Sequence, residues 1–202
     1  MPFTMPFPSD TWVRIPWGIE PEDRGQILDS IGGVVDDVDL PELEADSRAQ
    51  LKKLWLNYVA RALDFPSGSE TVNRVLRLVD DQSADYCQVD VNVLPAMSRE
   101  DLRTHLTVDN PQDFRAREVL DTDVEFAGVT GMLGRSVLPL RRRHEIVGLN
   151  KAFALETELY TVLGFALPSE SVVIEFYTDT VIGQARTHDD VAALLSGARL
   201  VE

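Results

Sequence analysis

The sequence predicts an α+β fold: an antiparallel β-sheet flanked by helices, an α/β sandwich folded as a single domain over 1–202. Three observations predict it. Residues 41–63 place Leu51, Leu54, Trp55, Tyr58, Val59, Ala62 and Leu63 at three- and four-residue spacings, the apolar stripe of an amphipathic helix. "YCQVDVNVLP" (86–95) alternates Cys87, Val89, Val91 and Val93 against Gln88, Asp90 and Asn92, the period of a strand. From residue 124 the chain reads as three or four strands divided by short polar or glycine-bearing breaks, with a helix to close it.

Taken in order, the opening holds four prolines by residue 16, which suits an extended edge segment. "TWVRIPW" sets Trp12, Arg14 and Pro16 against Val13, Ile15 and Trp17. Pro21, followed by Glu22 and Asp23, starts a helix through Ile27, Leu28 and Ile31, and Gly32–Gly33 ends it. The acidic stretch "VVDDVDLPELEADS" lacks the register of an EF-hand loop and reads as a solvated turn feeding the next helix. That helix runs from Pro41 to about Leu63 and is broken by "FPSGS". The helical portion, about 20–64, is expected to pack on a mainly C-terminal sheet.

"ETVNRVLRLVDD" fits helix and strand equally, whereas 86–95 is a strand. "SREDLRTHL" and "NPQDFRAREVL" have the look of short helices capped by Ser98 and Asn110. "VEFAGVTGMLGRSVLPLRRRHEIVG", "FALETELYTVLGFAL" and "SVVIEFYTD" follow as strands, with "LPSES" as a hairpin loop. "THDDVAALLSGARLVE" offers Thr187 as an N-cap with Val191, Leu194 and Leu195 as the buried face.

Composition narrows the function classes. A net charge of −15 and an isoelectric point near 4.5 oppose nucleic-acid and anionic-membrane partners, which need clustered cations. Hydrophobic residues make up 44% of the chain, enough for a packed core. Cys87 is the single cysteine, which leaves no internal disulfide and no multi-cysteine metal site. It lies on the apolar parity of its strand and reads as a buried, inert thiol. No secretory signal and no membrane-spanning run are read, so the cytoplasm is the expected compartment.

Catalytic motifs are sought and not found: no G-x-S-x-G, no Walker A, no G-x-G-x-x-G and no H-E-x-x-H. His105, His144 and His188 fall in separate elements. The densest chemistry is "LPLRRRHEIVG" (138–148). On a strand its arginines divide between two faces, Arg142 apart from Arg141 and Arg143. Glu156, Glu158 and Glu175 on flanking strands are the expected cross-strand partners. The alternative is an anion site at Arg141, Arg143 and His144, because guanidinium forks suit phosphate and carboxylate. Packing onto the sheet edge is the favoured reading of Trp12 and Trp17; the alternative makes Trp12, Arg14 and Trp17 the candidate partner-binding residues, as aromatic anchors beside a cation. No catalytic residue, metal ligand or cofactor is assigned.

Gly134, Val137 and Arg141 match a G-x-x-V/A-x-x-x-R strand, and Val172, Val173, Phe176 and Thr178 match a V-V-x-x-F-x-T strand that precedes a terminal helix. On these motifs the C-terminal half resembles the Mog1/PsbP-like domains of actinobacterial proteins. The long helix around Trp55 is extra to the simplest version of that domain. The resemblance implies an antiparallel sheet flanked by helices, and a binding or accessory role with no catalytic residues to carry over. The expected function is therefore a non-enzymatic accessory or protein-interaction protein, linked to a secretion or envelope system. The alternatives are a small anionic-ligand binder or hydrolase, and a subunit that works by self-association.

Overall fold

The computed structural model describes residues 3–19, 22–32, 45–64, 70–78, 85–107, 118–144 and 152–200, with backbone alone at 3, 32, 45–46, 138–144, 152–157 and 200. The acidic connector, the "FPSGS" break and the Asn110 cap lie outside these residues.

Nine strands and four helices are described: β1 (Phe3–Thr4), β2 (Trp12–Arg14), α1 (Arg24–Gly32), α2 (Ala45–Asp64), β3 (Thr71–Arg77), β4 (Cys87–Pro95), α3 (Arg99–Leu106), β5 (Val119–Phe126), β6 (Val129–His144), β7 (Ala152–Ala166), β8 (Glu170–Thr178), α4 (Val181–Leu195) and β9 (Arg199–Leu200). Seven strands form one sheet in the order β2-β3-β4-β8-β7-β6-β5, and every neighbouring pair is antiparallel. β1 and β9 make a separate two-stranded ladder. The ambiguous "VNRVLR" is the strand β3. Six of its seven residues are buried on two faces, so neither period stands out in its sequence.

The sheet is covered on both sides, as an α+β sandwich requires. On one face Leu76, Tyr160, Val162, Val173 and Tyr177 meet Trp55, Val59 and Ala62 of α2 and Leu102 and Leu106 of α3. On the other, Val89, Val91, Phe165, Ile174 and Phe176 meet Val191 and Leu195 of α4. Burying each large apolar side chain contributes about 1.5–3 kcal/mol, which makes these two layers the main source of stability.

Local chemistry fixes the connections. Ala127 and Gly128 have φ of 50° and 75° between β5 and β6, the left-handed pair of a two-residue hairpin turn. Ser98 caps α3, its hydroxyl accepting the Asp101 amide. The last helix differs from expectation. It begins at Val181, and Thr180 Oγ1 accepts the Gly183 amide at 2.9 Å. Thr187 is no cap: it is buried in mid-helix, donating to the Gly183 carbonyl at 2.7 Å, with its Oγ1 2.9 Å from Cys87 Sγ.

Candidate functional site

The alternation along β4 suggests a half-solvated strand, yet the polar parity lies under α2. Gln88, Asp90 and Asn92 are all buried and organise two hydrogen-bonded groups. In the first, Arg74 on β3 is the register partner of Asp90. Its Nε donates to Oδ1 at 2.9 Å and its Nη2 to Oδ2 at 2.6 Å. Its Nη1 reaches the Ala62 carbonyl in the last turn of α2 at 3.2 Å. Gln88 Nε2 donates to Asp90 Oδ1 at 3.0 Å, and Tyr86 Oη donates to Gln88 Oε1. In the second, Thr71 Oγ1 donates to Asn92 Oδ1 at 2.8 Å, while Asn92 Nδ2 and Tyr160 Oη donate to Glu175 at 2.7 and 2.6 Å.

Arg61 of α2 closes the near end. It forms an ion pair with buried Glu158 and another with Asp179 at 2.9 Å, and its guanidinium lies 3.5 Å from the Tyr86 ring centroid. Burial pushes the Asp90 carboxyl up, while the Arg74 fork and the Gln88 amide pull against that shift. Burial likewise pushes the Tyr86 and Tyr177 phenols upward and the Cys87 thiol up to about 12. Each of these groups is buried and sits among the packed layers of the core. The network joins α2 to the sheet.

The expected anion triad lies at the distal end of β6. β6 and β7 pair continuously from Met132↔Gly164 to His144↔Ala152, with Arg141 opposite Leu155 and Arg143 opposite Phe153. Alternation places Arg141 and Arg143 on one face of this ladder and His144 with Arg142 on the other. The side chains of Arg141, Arg143 and His144, and with them the expected anion site, lie outside the description. Of the expected glutamate partners, Glu158 and Glu175 have described side chains and pair elsewhere, whereas the side chain of Glu156 lies outside the description. Glu158 is opposite Leu138 and Glu156 opposite Leu140; Glu158 pairs with Arg61, and Glu175 accepts from Tyr160 and Asn92.

Of the three candidate partner-binding residues, Trp12 is 4% exposed. It packs edge-on to Phe7, with centroids 5.6 Å apart, and under the Arg77 guanidinium. β2 pairs with β3 and turns that ring into the layer beneath α4. Trp12 is therefore core, as the favoured packing reading expects, and this removes the alternative of a surface anchor at Trp12; Arg14 is exposed and Trp17 half-buried. Sequence reasoning missed Arg61, Arg74 and Arg77, the last paired with Asp190 of α4. Charges of opposite sign inside two neighbouring β-branched runs, "VNRVLR" and "QVDVN", were the available signal.

Outside the core, an open groove of about 430 Å³ is lined by Glu118, Leu120, Asp121, Thr122, Asp123, Leu133 and Arg135. Arg99 and Arg103 of α3 hold Asp121 from 2.9 and 2.5 Å. Among the described residues no group of three or more His, Cys, Asp or Glu side chains could hold a metal ion, and no helix is long and apolar enough to cross a membrane. A scan against protein-family models and a search of curated proteins find no match to this chain.

Proposed function

We propose that this chain is a non-enzymatic accessory protein that acts by binding another protein. It is read as a Mog1/PsbP-like domain working in the cytoplasm, in support of a secretion or envelope system. One observation carries the reading. Among the described residues, charged side chains of the sheet centre are taken up in ion pairs, Arg74 with Asp90 within the sheet, and Arg61 with Glu158 and Asp179 and Arg77 with Asp190 between sheet and helix or loop. Among the described residues the distal β6–β7 ladder extends past its pairings with β5 and β8, and a ladder edge is an element suited to contact.

A thermal-shift screen against inorganic phosphate, acidic metabolites and ester substrates tests this reading. A flat screen without turnover is expected. Stabilisation by an anion that disappears in Arg141→Ala would replace the reading with a small-ligand binder, and turnover would replace it with a hydrolase.

A further inference from the structure

The hairpin of β5 and β6 starts in one register and ends in another. Next to the Ala127–Gly128 turn the pairs are Phe126↔Val129 and Glu125↔Thr130; further on they are Asp121↔Met132, Leu120↔Leu133 and Val119↔Gly134. Thr122, Asp123 and Val124 therefore stand against Gly131 alone, a bulge of two extra residues. The bulge folds over a position with no room for a side chain. A Cβ on Gly131 would come 2.7 Å from Phe165 Cε1 and 3.1 Å from the Val124 carbonyl.

Arg99 of α3 holds this place. Its Nη1 donates to the Thr130 carbonyl at 2.6 Å, and its Nη2 to the Gly131 carbonyl at 3.3 Å and to Asp121 Oδ1 at 2.9 Å. Arg103 Nη2 reaches the same carboxylate oxygen at 2.5 Å. The open groove lies at the bulge, with Leu120, Thr122 and Asp123 on one side of it and Leu133 and Arg135 on the other.

Side chains alternate along a strand with a period of two. Drawing out a two-residue excess thus slides the first half of β5 by about 7 Å along β6 and keeps every side chain on its own face. Continuing the Glu125↔Thr130 pairing without a break sets Val124 opposite Gly131, Asp123 opposite Met132 and Thr122 opposite Leu133. Asp123 then stands where Asp121 stood, within the reach of Arg99 and Arg103, so that "DTD" (121–123) supplies a carboxylate in either setting. Two effects oppose each other. The slid strand regains the cross-strand pairs that the bulge forgoes, whereas Val119, 5% exposed opposite Gly134, moves out to a place opposite Ser136.

We propose that β5 is a two-register strand. A bulged setting, with Asp121 clamped and the groove formed, exchanges with a slid setting in which Asp123 is clamped and the bulge and its groove are gone. Whatever occupies the groove draws the strand to the bulged setting. This device goes beyond the interaction-protein reading and does not depend on it.

Nuclear magnetic resonance of the full chain tests the exchange. Backbone protons of Met132 should show Overhauser contacts to Asp121. Saturation-transfer measurements should reveal a minor state of about 1–10% at residues 118–124 that is absent at 126–129. Asp121→Ala should raise the minor population about three- to tenfold, enough for a Met132–Asp123 contact to appear. Asp121→Ala/Asp123→Ala should return it to its starting value, because neither setting then has a carboxylate to clamp. Asp121 is well exposed, so these variants keep the fold; Val119→Thr should raise the same population with the clamp intact. No minor state in the unaltered chain, a population indifferent to Asp121→Ala, an equal rise in the double variant, or a minor state without the Met132–Asp123 contact would overturn the two-register strand. The interaction-protein reading fails separately, on turnover or an anion hit in the screen above.

Discussion

Arg74 and Asp90 face each other as register partners on β3 and β4, joined by paired guanidinium–carboxylate hydrogen bonds, with side-chain exposures of 0% and 5%. Removing one partner of such a pair strands a charge in the interior. Arg74→Met alone should cost about 3–5 kcal/mol, and Asp90→Leu alone a similar amount. The double variant Arg74→Met/Asp90→Leu should lose much less than their sum, because both charges leave together. Urea unfolding of the four proteins measures the cycle. Additive losses would show that the charges act on stability independently.

The Asp121 carboxyl is drawn below its ordinary range, first by the Arg99 hydrogen bond and then by the charges of Arg99 and Arg103. A depressed acid pKa adds stability above the unfolded-state value, about 3.9, and that stability is lost as pH falls through the folded value. Asp121 is well exposed, so the effect is small. Asp121→Asn should lower the melting temperature slightly at pH 7 and flatten its fall below about pH 4. Thermal melts between pH 2 and 7 read it. A slope that changes only above pH 5 would contradict the assignment.

Cys87 is buried, with its thiol raised to about 12 by desolvation before any neighbouring charge acts. The folded protein should react with a thiol reagent only as fast as it opens, and the rate should jump on adding denaturant. Prompt labelling of one thiol in buffer would mean that the sheet face under α4 is accessible.

Gly164 of β7 lies directly beneath α3, where an added Cβ would come 2.5 Å from Leu106 Cδ1. Leu106 is itself buried. Gly164→Ala should destabilise by about 1–3 kcal/mol through displacement of α3. Leu106→Ala in the same background should reduce the penalty for the added methyl. A melt in which Gly164→Ala is neutral would show that α3 yields without cost.

The layers were legible where one element carried its own signal. The stripe of Trp55, Val59 and Ala62 and the alternation of Cys87, Val89 and Val91 each announce a buried face through local spacing. The destinations of the charges were not legible. Arg61 finds Asp179, 118 residues away, and only the strand order brings them together. Glu158 was expected beside the arginine run, but the register sets it opposite Leu138 and its carboxylate pairs with Arg61. The start of α4 was hidden because "TVIGQAR" holds a glycine and β-branched residues, whereas "THDD" imitates a cap.

At mid-sheet β4 pairs with β8, and Asn92 bonds Glu175 across 83 residues of sequence. During synthesis nothing can occupy that seam until residue 178 has left the ribosome. A nascent chain stopped at the end of β7 would hold β3–β4 and β5–β6–β7 as two fragments, each with a raw interior edge. Completion of the fold therefore waits on the last strand of the sheet, and the interval before it arrives is when the polypeptide is most in need of a chaperone.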